Sequence, residues 1–162
     1  MNYFDLFGLP MAPSVDRSVL ARKYFELQKK HHPDFYSQAT EEEQETALGQ
    51  SAAINKAFNI FQDPQKTIEY FLQEKGQIGA DEKYSLPADF LMEMMEINEQ
   101  MEEADPAATQ MTTGELEKAL FDEIQPVLEK HPDALSTEDL QHLKAYYYKK
   151  KYLKRILDRL VD

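Results

Sequence analysis

His31-His32-Pro33-Asp34-Phe35 decides how the first half of this 162-residue chain folds. Proline disfavours helix in the residue before it and offers no N–H, so a helix arriving from the N-terminal side must stop near His32. Lys29 and Lys30 fall in the turn just before, where cations suit the negative end of the helix dipole. The stop pushes His32 and Asp34 out at a loop tip, within reach of a partner. The same tripeptide recurs at His131-Pro132-Asp133, between two other helical stretches. Alone, therefore, the tripeptide is helix punctuation, and its surroundings must decide whether either copy does more.

Upstream of the loop, Asp16 is placed to cap a helix running to about His31. Leu20, Tyr24 and Leu27 recur at i, i+4 and i+7 and form its buried stripe. Arg22, Lys23, Lys29 and Lys30 make a band opposite and beside that stripe, with only Glu26 among them. Before this helix, Tyr3 to Leu9 is a short apolar piece that predicts one helical turn ending at Gly8 and Pro10. After the loop, Glu41 to about Gln62 reads as a second long helix whose face is Ala47, Ser51, Ile54, Phe58 and Phe61. Two such helices joined by a short loop make an antiparallel hairpin. Asp63-Pro64 ends the second, and Gln65 to Lys75 forms a last short helix before Gly76.

Gln77 to Leu86 is linker-like, with only Ile78 and Tyr84 to pack, so the expected division is 1–76, a linker 77–86, and 87–162. Pro87 opens a helix to about Ala104, whose core stripe is Phe90, Met94, Ile97 and Met101. Leu91, Met92 and Met95 lie well round from that stripe, beside Glu96, Glu99 and Glu103. From Pro87 to Asp105 there are seven acids and no base. A second apolar surface rimmed by charge is the usual form of a partner site, although methionine at helical spacing is more often core filler. Thr112 or Thr113 is expected to cap the next helix, with Leu116, Leu120, Ile124 and Val127 inward and Pro126 kinking or interrupting it. Ser136 with Asp139 resembles a capping box and opens a final helix to about Val161. Leu143, Tyr146, Leu153, Leu157 and Leu160 form its inner face, while Tyr148 and Tyr152 point elsewhere. The predicted class is all-α, a helical hairpin with short flanking helices followed by an antiparallel three-helix bundle.

Composition narrows the function. A net charge of −12 argues against a nucleic-acid binder, which needs a basic patch for phosphates. The charge is uneven: residues 1–75 carry 8 basic and 11 acidic side chains, residues 76–162 carry 10 and 19, so the halves suit different partners. With no cysteine, disulfides, thiol catalysis and Cys-ligated metals are excluded, which fits a reducing compartment. There is no run of eighteen apolar residues to span a membrane, and Met1 to Asp5 shows no signal-peptide pattern, so a cytoplasmic protein is expected.

The first domain resembles a J-domain, the helical hairpin that activates the ATPase of DnaK-type chaperones. The matching residues are Tyr3-Phe4-Asp5-Leu6-Phe7-Gly8-Leu9, the basic helix, His32-Pro33-Asp34 and Ile54-Asn55-Lys56-Ala57-Phe58. His131-Pro132-Asp133 lacks that surround. In the second domain Phe90-Leu91-Met92-Glu93, Met95-Glu96-Ile97 and Glu99 resemble the scaffold-binding helix of HscB, the J-type co-chaperone of iron–sulfur cluster assembly. The resemblance implies two surfaces. Arg22, Lys23, Lys29, Lys30, His32, Pro33 and Asp34 would meet an HscA/DnaK-type ATPase chaperone. Leu91, Met92, Met95, Glu96, Glu99, Glu103 and Tyr148 would meet an IscU-type scaffold. ATP and the cluster would belong to the partners, leaving this chain no cofactor or catalytic residue of its own. Two departures stand out: Phe35 occupies a position where many J-domains have a basic residue, and the zinc-binding cysteines of some eukaryotic relatives are impossible here.

Two other readings stay open on the residues. One keeps the J-domain and gives the bundle a different client. The other makes His32 and Asp34 an acid–base pair in a small helical enzyme, since histidine titrates near neutral pH. His31, His131 and His142 read as surface or cap residues, and no metal-ligand spacing is present.

Overall fold

The computed structural model describes the backbone of residues 1–161 and the side chains of residues 1–159. Seven α-helices and no strand occur among them: α1 (Tyr3–Phe7), α2 (Arg17–His31), α3 (Glu41–Phe61), α4 (Pro64–Glu74), α5 (Ala88–Glu103), α6 (Pro106–Leu128) and α7 (Thr137–Val161). The chain divides into two compact units, Met1–Lys75 and the residues from Gly76 onward. No helix among the described residues is long and apolar enough to cross a membrane.

In the first unit, α2 and α3 form the hairpin and α1 lies against both. Asn2 and Asp5 make a reciprocal capping box at the start of α1. At its end Gly8 takes φ +64°, so its N–H reaches the Asp5 carbonyl at 3.1 Å and the Leu9 N–H reaches that of Phe4 at 2.9 Å. That doubly bonded turn needs a left-handed residue, which explains glycine here. Phe4 and Phe7 are fully buried, with their rings 4.9 and 5.7 Å from Phe61. The Tyr3 N–H donates to the Tyr70 hydroxyl at 2.9 Å, and the two rings stack at 5.3 Å. Asp16 caps α2 by accepting from the N–H groups of Ser18 and Val19. At the α3–α4 corner, buried Thr67 directs its hydroxyl at the Asp63 carbonyl, 2.9 Å away.

In the second unit α7 packs on both α5 and α6. Phe90, Met94 and Met101 from α5, Leu120, Ile124 and Val127 from α6, and Leu143, Tyr146, Leu153 and Ile156 from α7 are buried together as its core. Ile97, Leu116 and Leu157 are half-buried. Leu160, expected on the same inner face, lies outside the residues whose side chains are described. Residues 77–86 carry contacts to α7: Gln141 donates to Gln77 at 3.3 Å, and Tyr84 stacks on Tyr148.

Two expectations are corrected. Neither Thr112 nor Thr113 caps a helix, because α6 begins earlier, at Pro106. Asp105 accepts from the Ala108 N–H at 2.7 Å and Pro106 occupies the first turn, so Asp-Pro ends one helix and starts the next. Thr113, inside the helix, instead donates back to the Gln110 carbonyl at 2.9 Å. Pro126 does not interrupt α6, which runs through it to Leu128. It sits in the last turn, so the helix continues only two residues past it.

The capping box at Ser136 forms as the sequence predicts. The Ser136 N–H donates to Asp139 at 2.9 Å and the Asp139 N–H donates to Ser136 Oγ at 3.1 Å. Lys130 adds an ion pair to Asp139 at 2.8 Å. The lysine first, then the Ser136 N–H, hold the Asp139 carboxyl down at about 2, against its usual 3.8. A carboxyl whose pKa is depressed by folding contributes stability above its unfolded value and loses it as pH falls toward the folded value. Asp139→Asn should therefore lower the melting temperature at neutral pH, and the gap to wild type should close between about pH 4 and pH 2. Thermal melts of both chains across that range check this; a gap that does not change with pH contradicts it.

Candidate functional site

Pro33–Tyr36 folds as one 3-10 turn directly after α2. His32 ends α2 and caps the turn, its Nδ1 accepting from the Asp34 N–H at 3.2 Å and standing 3.6 Å from the Asp34 carboxylate. A ring nitrogen that accepts carries no proton, so this network assigns the proton to Nε2. Two side chains fasten the turn to the hairpin. The Tyr36 hydroxyl donates to the Lys30 carbonyl at 3.0 Å. The Gln44 amide lies 3.1, 3.2 and 3.3 Å from the carbonyls of Tyr36, Ser37 and Ala39.

The second copy of the tripeptide has nearly the same internal geometry. His131 Nδ1 accepts from the Asp133 N–H at 3.2 Å and stands 3.6 Å from its carboxylate. The His32–Asp34 arrangement thus recurs in both copies of the tripeptide, each histidine capping a 3-10 turn opened by proline, and nothing in it is peculiar to an acid–base pair. The copies differ in setting: the His32 side chain is 45% exposed and that of His131 73%. Lys130, beside His131, is paired with Asp139. Along α2, which leads into His32, Arg22, Lys23, Lys29 and Lys30 by contrast have no carboxylate within ion-pair distance among the described residues. Arg22, Lys29 and Lys30 are exposed; Lys23 is half-buried with its ammonium over Gly8.

Sequence reasoning passed over one residue here. Phe25 lies three residues after Arg22 and four before Lys29, on their face of α2, and is 69% exposed. The signal was available: an apolar residue 140° from Leu20, at about 100° per residue, cannot join the buried stripe. Phe35, 68% exposed, presents its ring at 77° to that of His32 with centroids 6.3 Å apart.

The second candidate surface is on α5. Met92 and Met95 are 64% and 60% exposed, so they are not core filler, and Leu91 is half-buried beside them. Met92, Glu96, Glu99 and Glu103 recur at i, i+4, i+7 and i+11 and share one outward line with Met95 adjoining it. The three glutamates are exposed.

Tyr148, assigned to this surface from sequence, is fixed by other partners. Its ring stacks on Tyr84 at 4.4 Å and 7°, and its hydroxyl donates to Glu82 at 2.8 Å. Lys144 pairs with the same carboxylate. Burial, helped by the Glu82 charge, pushes the Tyr148 hydroxyl up to about 12, while Lys144 and then Tyr148 hold Glu82 below its usual value. The tyrosine thus ties residues 82–84 to α7. No cluster of three or more His, Asp or Glu able to hold a metal ion occurs among the described residues.

A family model described as the HSCB C-terminal oligomerisation domain matches residues 86–161. The Co-chaperone protein HscB homolog of Vibrio cholerae is 32% identical over 172 aligned positions, covering 99% of both chains. That of Vibrio vulnificus is 39% identical over 104 positions, 64% of this chain and 61% of the relative. Among solved structures, the chaperone HscB of Vibrio cholerae has a TM-score of 0.61 at 31% identity, covering 99% of each chain. The human co-chaperone protein HscB has a TM-score of 0.78 at 27% identity, covering 99% of this chain and 80% of that one.

The Tyr148 tie is testable by hydrogen exchange. Tyr148→Phe keeps the stack and loses the hydroxyl, so amides between Gly79 and Leu86 should exchange roughly fivefold faster. Tyr148→Ala, losing both, should exchange faster still. Unchanged exchange in Tyr148→Ala would show that the segment is held by something else.

Proposed function

The chain belongs to the HscB family of co-chaperones, and we propose that it is a non-catalytic, cytoplasmic adaptor between two proteins. The J-domain at 1–76 docks on an HscA/DnaK-type ATPase through Arg22, Lys23, Lys29, Lys30, His32, Pro33 and Asp34 and stimulates ATP hydrolysis there. The bundle at 87–162 holds an IscU-type iron–sulfur scaffold through Leu91, Met92, Met95, Glu96, Glu99 and Glu103. Tyr148, on the neighbouring helix α7, meets the same scaffold. The observation that carries the reading is the contrast between the two His-Pro-Asp turns: of two turns built alike, the first follows a cationic band with no ion pair among the described residues, whereas the lysine beside the second is paired.

Charge supports the division of labour. An exposed positive band on an acidic chain favours encounter with an acidic face and orients it. The α5 surface offers apolar contact inside a negative rim and suits a partner with the opposite pattern. Holding both partners on one chain raises the effective concentration of scaffold at the chaperone.

Steady-state ATP hydrolysis by the chaperone, with and without scaffold, tests the reading. Wild type should stimulate, and more strongly with scaffold present. His32→Gln should abolish stimulation while leaving scaffold binding intact, and His131→Gln should leave both unchanged. Leu91→Ala with Met92→Ala should weaken scaffold binding roughly tenfold without affecting scaffold-free stimulation. Unaltered scaffold affinity in that double variant would mean a J-protein with another client. Loss of scaffold binding in His32→Gln would contradict two separate surfaces.

A further inference from the structure

Seven large apolar side chains are exposed among the described residues; one of them, Phe25, lies within the cationic band of α2, and another, Phe35, in the turn that follows it. A single exposed apolar residue is ordinary protein surface. Two exposed phenyl rings, one between Arg22 and Lys29 on α2 and the other against the motif histidine, are a pattern. Neither ring serves the hairpin core, which Leu20, Ile54, Ala57 and Phe61 already fill. No cation lies over the Phe25 ring among the described contacts, so it is not a platform for its own neighbours.

The chemistry of the occupant follows from the setting. Arg22, Lys29 and Lys30 are exposed and unpaired among the described residues, so what covers them is acidic. Two phenyl rings exposed along the band and its following turn require that this acidic surface also hold apolar recesses. We propose that Phe25 and Phe35 are apolar anchors through which this chain docks on an acidic, recessed face of its ATPase partner. Phe35 then replaces a charge contact with an apolar one directly after the motif, and Phe25 does so in the middle of the band. The consequence is a complex with two components of different salt response. Contacts made by the lysines fade as the screening length drops to about 3 Å near 1 M salt. Burial of the phenyl rings does not weaken with added salt. The inference rests on the adaptor reading above and adds to it the character of the partner's surface.

Affinity for the purified chaperone, measured at low and at roughly 0.5 M salt, separates the components. Phe25→Ala and Phe35→Ala should each bind roughly tenfold more weakly at both salt concentrations, with the salt slope of wild type. Lys29→Ala should lose affinity chiefly at low salt and flatten the slope. Both rings are exposed, so thermal melts of the variants should match wild type. If the unsubstituted chain does not bind the chaperone, the adaptor reading fails. If it binds and both phenylalanine variants match it at both salts, this inference alone fails. Sedimentation of the chain by itself covers the remaining occupant: self-association lost in the Phe25→Ala Phe35→Ala double variant would assign the rings to a second copy and overturn the proposal.

Discussion

One acceptor atom sets how the first unit presents itself. Asn55 Oδ1, on α3, receives the Tyr24 hydroxyl at 2.8 Å and the Gln28 amide at 2.9 Å, both from α2. Ser51 extends the link by donating to Gln28 at 3.3 Å, and the Tyr24 ring lies 4.2 Å from that of Phe58. Bonds of this kind contribute about 1 kcal/mol each, little beside the apolar core. Their effect is on rotation. A turn of α2 by one residue, about 100°, would carry the cationic face toward α3 and leave Leu20 in water. With the rotation fixed, Arg22, Phe25 and Lys29 face outward, and Pro33 opens its 3-10 turn at a defined place.

The second unit solves a different problem, since α5 must carry a core stripe and an exposed apolar face at once. Phe90, Met94 and Met101 take the first, and Met92 and Met95 the second. Charge is neutralised unevenly around them. Lys149 and Lys150 of α7 pair with Glu123 and Glu117 of α6 at 3.9 and 3.4 Å. Glu96, Glu99 and Glu103 on α5 have no such ion pair among the described residues. The negative field is therefore concentrated along the helix that also exposes methionine, and one helix supplies both apolar contact and sign.

Most helices were legible because their signals are local and redundant. Asp16 and the Ser136–Asp139 box both act as caps, and each stands before an apolar stripe of helical period. Errors arose where one residue pair carried two meanings. Asp105-Pro106 reads equally as a stop and a start, and only the Asp105 carboxylate, 2.7 Å from the Ala108 N–H, decides between them. Tyr148 has contacts that were hidden for another reason. Its partners Glu82 and Tyr84 lie more than sixty residues away in a stretch that reads as linker, and helical periodicity carries no trace of them. Phe25 was legible in principle, since its position 140° from Leu20, at about 100° per residue, keeps it out of the buried stripe.

The repeated tripeptide separates what a short motif encodes from what it does not. Both copies place imidazole, backbone N–H and carboxylate at the same distances, because in each the histidine caps a 3-10 turn that proline opens. If the tripeptide geometry were sufficient for function, the second copy would be a second site. It stands instead beside a lysine already paired with Asp139, on a turn lying between the end of α6 at Leu128 and the start of α7. The first stands at the end of an unpaired cationic band, fastened by Tyr36 and Gln44 and flanked by Phe35. Recognition by a partner depends on field and shape over many ångströms, which the tripeptide does not contain. What distinguishes the first turn lies on α2 and α3, so the hairpin that holds the loop also defines the surface on which it can act.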